Sequence, residues 1–213
     1  MKKLFYFTNP VPVNFTEHNL SVSRRERYNL LAADRDKRMF LASEELTTGI
    51  LSRCYGLKNP IIEGSAGIKP FVKDSAVQFS RSYSCNDIII ATDDCGINGV
   101  DAEIIRKADE SLMNYFFRKK ESEYVNKSHN RDFAFTLIWT RKESYIKCSG
   151  EGLKFEFNKL NVTPDSSLLN GYKLFTLNQK IGDFFLNSYY IGNTVISLCS
   201  AYDEVFPEIR IRG

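Results

Sequence analysis

The chain has 213 residues, 43% of them hydrophobic and 26% charged, which is enough to bury a core without staples and excludes a disordered tail. A net charge of +3 is too mild for a dedicated nucleic-acid binder, and the longest apolar runs, IIIA at 88–91 and FTLIW at 135–139, are far too short to span a bilayer. Five scattered cysteines form no CxxC pair and are odd in number, arguing against a disulfide framework or a zinc site and for a reducing cytoplasm.

The opening MKKLFYFTNPVPV lacks the apolar core of a secretory signal and reads as a first strand. Ser23 is placed to cap a short helix, RRERYNLLAA, and Asp34 a longer one through about Tyr55 that Gly56 ends. A loop, EGSAGIKP, leads to two β runs, VQFSRSYS (77–84) and DIIIAT (87–92), and the turn DDCGING leads to VDAEI at 100–104. Asp101 and Glu103 stand two apart, so a strand puts both carboxylates on one face.

A helix is expected from about Asp109 to Asn126 and another from about Arg131 to Ser149, with Asn130 as N-cap and Gly150 as stop. Within the second, WTRKESYIK places Trp139, Glu143 and Lys147 four apart, each step rotating by only about 40°, so the three share one face. The plain reading is a packed tryptophan beside an exposed ion pair, with Lys142 a solvated neighbour of Glu143. Beyond Gly152, LKFEF (153–157), YKLFTL (172–177), DFFLNSYY (183–190) and NTVISLCSA (193–201) alternate like an antiparallel sheet. Two carboxylates on a strand and one on a helix suit magnesium, which takes six oxygens at about 2.1 Å, whereas a lone DxE is weak evidence. His18 and His129 read as loop residues.

The order of the pieces is more specific. GVDAE at 99–103, FFRKKE at 116–121, WTRKESYIK at 139–147 and GEGL at 150–153 together resemble the surfactin-type 4′-phosphopantetheinyl transferases, with Trp139, Lys142, Glu143, Ser144 and Lys147 in register. Upstream, IKPFV (68–72) and FSRSYS (79–84) resemble the family's GKP and FNxSHS segments. The resemblance implies an α+β fold of two similar lobes related by pseudo-twofold symmetry, an N-terminal lobe 1–99 and a C-terminal lobe 100–213, with the site in the cleft between them. It also implies coenzyme A as substrate, Mg²⁺ as cofactor, an acidic apo carrier protein as partner, and a monomer. Asp101, Glu103 and Glu143 would be the metal ligands, Glu143 the base, and Lys147 a contact to the pyrophosphate. Lys69, Pro70, Ser82 and Tyr83 would line the nucleotide pocket, with Arg24, Arg27 and Arg38 as basic residues reaching the phosphates.

Two departures stand out. Gly67 is separated from Lys69 by Ile68, and Tyr83 replaces the family's usual histidine, offering one hydroxyl donor but no cation at neutral pH. Tyr83 thus leaves open the alternative of a carrier-binding module of the same fold with impaired catalysis, and another magnesium-dependent phosphoryl enzyme acting on a nucleotide is a third possibility. Tyr115 to Phe117 beside Arg118, Lys119 and Lys120 suggest a hydrophobic and basic dock for the carrier.

Overall fold

In the computed structural model, which describes residues 2–12, 14–152, 156–164, 179–203 and 209–212, the chain forms two compact units. The first comprises Met1–Ile97 together with the C-terminal strand Ile209–Arg212, and the second lies within Asn98–Val205. Both mix helices and strands, so the fold is α+β.

In the first unit, β1 (Lys3–Phe7) is followed by α1 (Val22–Asn29), α2 (Asp34–Tyr55) and a small hairpin of β2 (Ile62–Glu63) and β3 (Phe71–Val72). The strands β4 (Gln78–Ser84) and β5 (Asp87–Asp93) then turn back on each other. The sheet order is C-terminal strand, β1, β5, β4, with the C-terminal strand parallel to β1 and the other pairs antiparallel. Phe5, Phe7, Ile88 and Ile90 pack with Ala42 and Ile50 of α2, which is why IIIA is a near-continuous apolar run. The α1 cap is Ser21, whose side chain accepts from the Arg24 N–H, and not Ser23 as expected. Ser23 instead accepts from the Gly64 N–H, and the helix stops at Asn29, short of Ala33.

The second unit is built on β6 (Asn98–Ile104) and three helices: α3 (Glu110–Phe116), α4 (Lys119–Lys127) and α5 (Arg131–Ser149). β7 (Gln179–Ile181), β8 (Phe184–Ile191) and β9 (Thr194–Ser200) complete an antiparallel sheet of order β6, β9, β8, β7. Helix α5 has the bounds expected of it: the Asn130 side chain accepts from the Phe133 N–H, and Gly150 takes the left-handed conformation at φ 76°. It is buried on nearly every side, unlike an amphipathic surface helix, and packs across β6 and β9.

Two expectations are corrected. The single helix over 109–126 is two, because Phe117 turns extended to stack on Phe135 and the Arg118 N–H is capped by Glu121. Within LKFEF, residues 153–155 lie outside the described residues, as does YKLFTL at 172–177, while Phe157–Lys159 form a 3-10 turn and not a strand.

What brings α5 close to the sheet is Gly99. A Cβ there would lie 2.1 Å from the Ser144 carbonyl oxygen and 2.4 Å from the Cys148 nitrogen, both main-chain atoms that no rotamer change can move. Small side chains continue the contact, with Thr140 and Ser197 hydroxyls 2.8 Å apart. Gly99→Ala is therefore expected to destabilise the protein by about 3 kcal/mol or more, since α5 has to lift off β6. Urea denaturation of the variant beside wild type measures this, and an unchanged midpoint would show that the helix yields without cost.

Candidate active site in the second unit

Alternation along β6 puts Asp101 and Glu103 on the face that Gly99 turns toward α5, while Val100 and Ala102 face the other way. From α5, Lys147 meets them: its ammonium is 2.7 Å from Asp101 Oδ1 and donates to the Val100 carbonyl at 3.1 Å. Glu143, one turn earlier, joins the same cluster electrostatically. Its carboxyl is raised above the usual range by burial and then by Asp101, with Lys147 opposing, Glu103 adding and Arg106 opposing. Burial likewise raises the Glu103 carboxyl, Asp101 adding and Arg106 and Lys147 opposing. Burial alone pulls Lys147 down, but Asp101, then Glu143 and Glu103, more than offset it and hold the ammonium above its ordinary value.

Three carboxylates against the cations Lys147 and Arg106 leave one excess negative charge on partly desolvated groups, and this arrangement suits a divalent metal ion. Their oxygens are less tightly gathered than in a closed cage. Among the described residues, the three side chains with ligand atoms within 4.8 Å of one another are Asp93, Asp94 and Cys95, at the end of β5 and in the turn after it.

Trp139 lies half-buried with its ring edge-on to Phe116 and stacked on Phe157. Lys142 departs from the solvated neighbour expected of it. It is fully buried, pairs with Glu121 at 2.9 Å and donates to the carbonyls of Phe157 (2.7 Å) and Leu160 (2.6 Å), which uses all three of its N–H groups. Burial lowers its pKa despite Glu121. Glu121, the last residue of FFRKKE, also accepts from the backbone N–H groups of Arg118 and Val162. Arg141 is buried as well, bonded to the Val162 carbonyl, Ser188 and Gln179. No pattern in the sequence separates these inward cations from Lys147, because nothing local announces that 156–162 folds over this side of the helix. In the expected dock, Tyr115 and the Arg118, Lys119 and Lys120 chains are exposed, but Phe117 belongs to the core.

The remaining candidates lie in the first unit. Arg24 is turned inward: it pairs with Glu44 at 2.6 Å, donates to the Gly64 carbonyl and stacks on Phe40, and Glu44 also pairs with the buried Arg81 at 2.9 Å. Arg24 thus clips α1 and α2 to the loop that carries Lys69 and Pro70, whereas Arg27 and Arg38 are exposed. Ser82 is buried and Tyr83 is 41% exposed, its hydroxyl 2.7 Å from Ser43 Oγ.

One arrangement of protons satisfies all three contacts at Ser43 together. The single Ser43 proton goes to the Phe40 carbonyl at 2.8 Å, which can only accept, and Arg81 Nη1 can only donate to Ser43 at 3.3 Å. The Tyr83 hydroxyl must therefore donate to Ser43, leaving only lone pairs for anything else. In that arrangement Tyr83, which the sequence offers as a donor, presents an acceptor to its surroundings.

Residues 98–199, which contain β6, α5 and β9, match the family described as the 4′-phosphopantetheinyl transferase superfamily. The second unit is thus similar in sequence to that superfamily. It is 28% identical over 167 residues to the 4′-phosphopantetheinyl transferase gsp of Aneurinibacillus migulanus, covering 75% of this chain and 68% of that protein. It is 28% identical over 135 residues to psf-1 of Bacillus pumilus, covering 61% of this chain and 56% of that protein. With Sfp of Bacillus subtilis (strain 168) the identity is 26% over 196 residues, 89% of this chain and 85% of that protein.

The transferase signature thus contains a buried ion pair beside its candidate catalytic residues. Lys142→Met alone strands the Glu121 carboxylate and is expected to cost about 3–5 kcal/mol, while the double variant K142M/E121Q recovers part of the loss by removing the orphaned charge. Denaturation midpoints of the three proteins check this; equal losses for single and double variants would mean that packing, not charge, is what Lys142 supplies.

Proposed function

We propose that the chain transfers the 4′-phosphopantetheine arm of coenzyme A to a serine hydroxyl of an apo carrier protein, releasing 3′,5′-ADP in a magnesium-dependent reaction. The observation that carries this reading is the convergence of Asp101 and Glu103 from β6 with Glu143 and Lys147 from α5. Asp101, Glu103 and Glu143 would hold the metal, which would supply positive charge to phosphoryl oxygens when bound. Lys147 contacts the pyrophosphate and stabilises the negative charge that grows there. The serine oxygen bonds to the β-phosphorus as the bond from that phosphorus to the bridging oxygen breaks; 3′,5′-ADP leaves with the electron pair, and Glu143 takes the serine proton. Lys69, Pro70, Ser82 and Tyr83 line the nucleotide pocket, with Arg27 and Arg38 as its solvent-facing cations. Arg24, committed to Glu44, supports that pocket from within.

Tyr115 at 75% exposure and the basic start of α4 suit an acidic carrier, whose approach they would steer. Among the described residues no helix is long and apolar enough to cross a membrane, and the reading is of a cytoplasmic monomer.

The test is mass spectrometry of an apo carrier protein incubated with coenzyme A and Mg²⁺, expecting the gain of one phosphopantetheine with wild type and none with Asp101→Ala. A folded wild type that binds the carrier but gives no heat with coenzyme A would favour the impaired module instead.

Because Tyr83 has no proton to offer, a 3′-phosphate placed against it gains nothing. Wild type should use dephospho-coenzyme A almost as well as coenzyme A, and Tyr83→His should lower KM for coenzyme A about fivefold below pH 7 by supplying a charged donor. Tyr83→Phe separates the assignments: an acceptor-only hydroxyl predicts no rise in KM, and a several-fold rise would show that Tyr83 donates.

A further inference from the structure

Arg106 follows the end of β6 and has no assigned task. Its backbone N–H is fixed by the Thr136 hydroxyl at 3.2 Å, and its guanidinium is held by two rings of α5, the central carbon 5.3 Å from the Phe135 centroid and 5.2 Å from that of Trp139. Those rings are four residues apart and so form one platform, braced by Phe116 and Phe157 against Trp139. A long side chain is thereby ordered by aromatic faces and not by hydrogen bonds.

None of the guanidinium N–H groups meets an acceptor among the described residues, and the Nε atom is buried, out of reach of water as well. Glu103 and Glu143 both feel its charge, yet neither closes to within 4.0 Å to form an ion pair. An arginine kept only as a countercharge would fold onto one of these carboxylates. This one stands off from both with its planar fork unspent, a pattern that fits recognition of an anion carrying several acceptor oxygens.

We propose that Arg106 is a further substrate-binding residue that donates to phosphate oxygens beside the Asp101, Glu103 and Glu143 carboxylates. Resting on the transferase reading, those oxygens belong to the pyrophosphate of coenzyme A, so that Lys147 and Arg106 grip it as a point charge and a fork. Trp139 then has a use that burial alone does not explain, since it holds the fork flat.

Calorimetric titration of wild type, Arg106→Gln and Arg106→Lys with coenzyme A, 3′,5′-ADP and inorganic pyrophosphate, each in EDTA and in Mg²⁺, tests this beside melting temperatures and turnover. Gln preserves the planar stacking group, so the melting temperature should stay near wild type. Coenzyme A and pyrophosphate should bind R106Q about tenfold more weakly even in EDTA, 3′,5′-ADP should be affected less, and kcat should fall by about two orders of magnitude. Lys should recover affinity more than kcat, lacking the fork. Unchanged coenzyme A and pyrophosphate binding by R106Q overturns the assignment. So does a loss confined to KM for the carrier, which would give Arg106 to a carboxylate of the partner. A wild type that binds pyrophosphate through Arg106 but ignores coenzyme A would keep the phosphate site and sink the transferase reading.

Discussion

The distance between α5 and β6 is set by the missing side chain at Gly99, and the chemistry of the second unit depends on that distance. A Cβ would push against the main chain of Ser144 and Cys148, so the helix sits where only a glycine strand position admits it. At that separation the side chains two and four residues further along β6, Asp101 and Glu103, look directly at the helix turn that carries Glu143 and Lys147. An alanine-sized separation would stretch the 2.7 Å ion pair between Lys147 and Asp101 and weaken the coupling among the carboxylates. The glycine of GVDAE therefore belongs with its carboxylates as one device: the first admits the helix, and the others use its proximity.

The crowding of WTRKESYIK follows from α5 being enclosed. A helix with one solvent face has nowhere to need so many charges, but this one divides them by direction. Arg141 and Lys142 point to the segment around 157–162 and to β8: Arg141 donates to the Val162 carbonyl, the Ser188 hydroxyl and Gln179, and Lys142 to the Phe157 and Leu160 carbonyls and Glu121. Glu143 and Lys147 point to β6. Burying the Lys142 and Glu121 pair gains little net stability over an apolar pair, because desolvation offsets attraction. What it supplies is direction, since a saturated buried lysine fixes the rotation of the helix about its axis, and that rotation decides where Glu143 points.

Most of the regular structure is legible in the sequence: the bounds of α5 from Asn130 and Gly150, the run of β5 from its isoleucines, and the shared face of Asp101 and Glu103 from their spacing. The misses have a common cause. Lys142 looked solvated, Phe117 looked like part of a helix and Ser23 looked like a cap, because each is decided by a partner far away in sequence. Those partners are Glu121 and the Leu160 carbonyl, the Phe135 ring, and the Gly64 N–H. Local propensity carries no information about such contacts, and they override it. Arg106 is illegible in the sequence for a related reason: a single cation after a strand gains meaning only from the two rings that hold it and from its buried Nε.

The two units handle charge in opposite senses. In the first, Glu44 is shared by Arg24 and Arg81, leaving an excess of one buried positive charge, and the hydroxyls of Ser43 and Thr47 lie against Arg81. That excess is met internally: the hydroxyl oxygens of Ser43 and Thr47 accept from Arg81, and Ser43 in turn hydrogen-bonds Tyr83. In the second, the excess is negative and sits on carboxylates that burial has already made costly to ionise. A structural network and a site are told apart by this criterion. Where each nitrogen of a buried cation donates within the fold, as at Lys142, Arg141 and Arg24, the charge builds the protein. Where like charges are held together at a cost and a guanidinium beside them keeps its donors unused among the described residues, as at Glu103, Glu143 and Arg106, the balance is left for a ligand to complete.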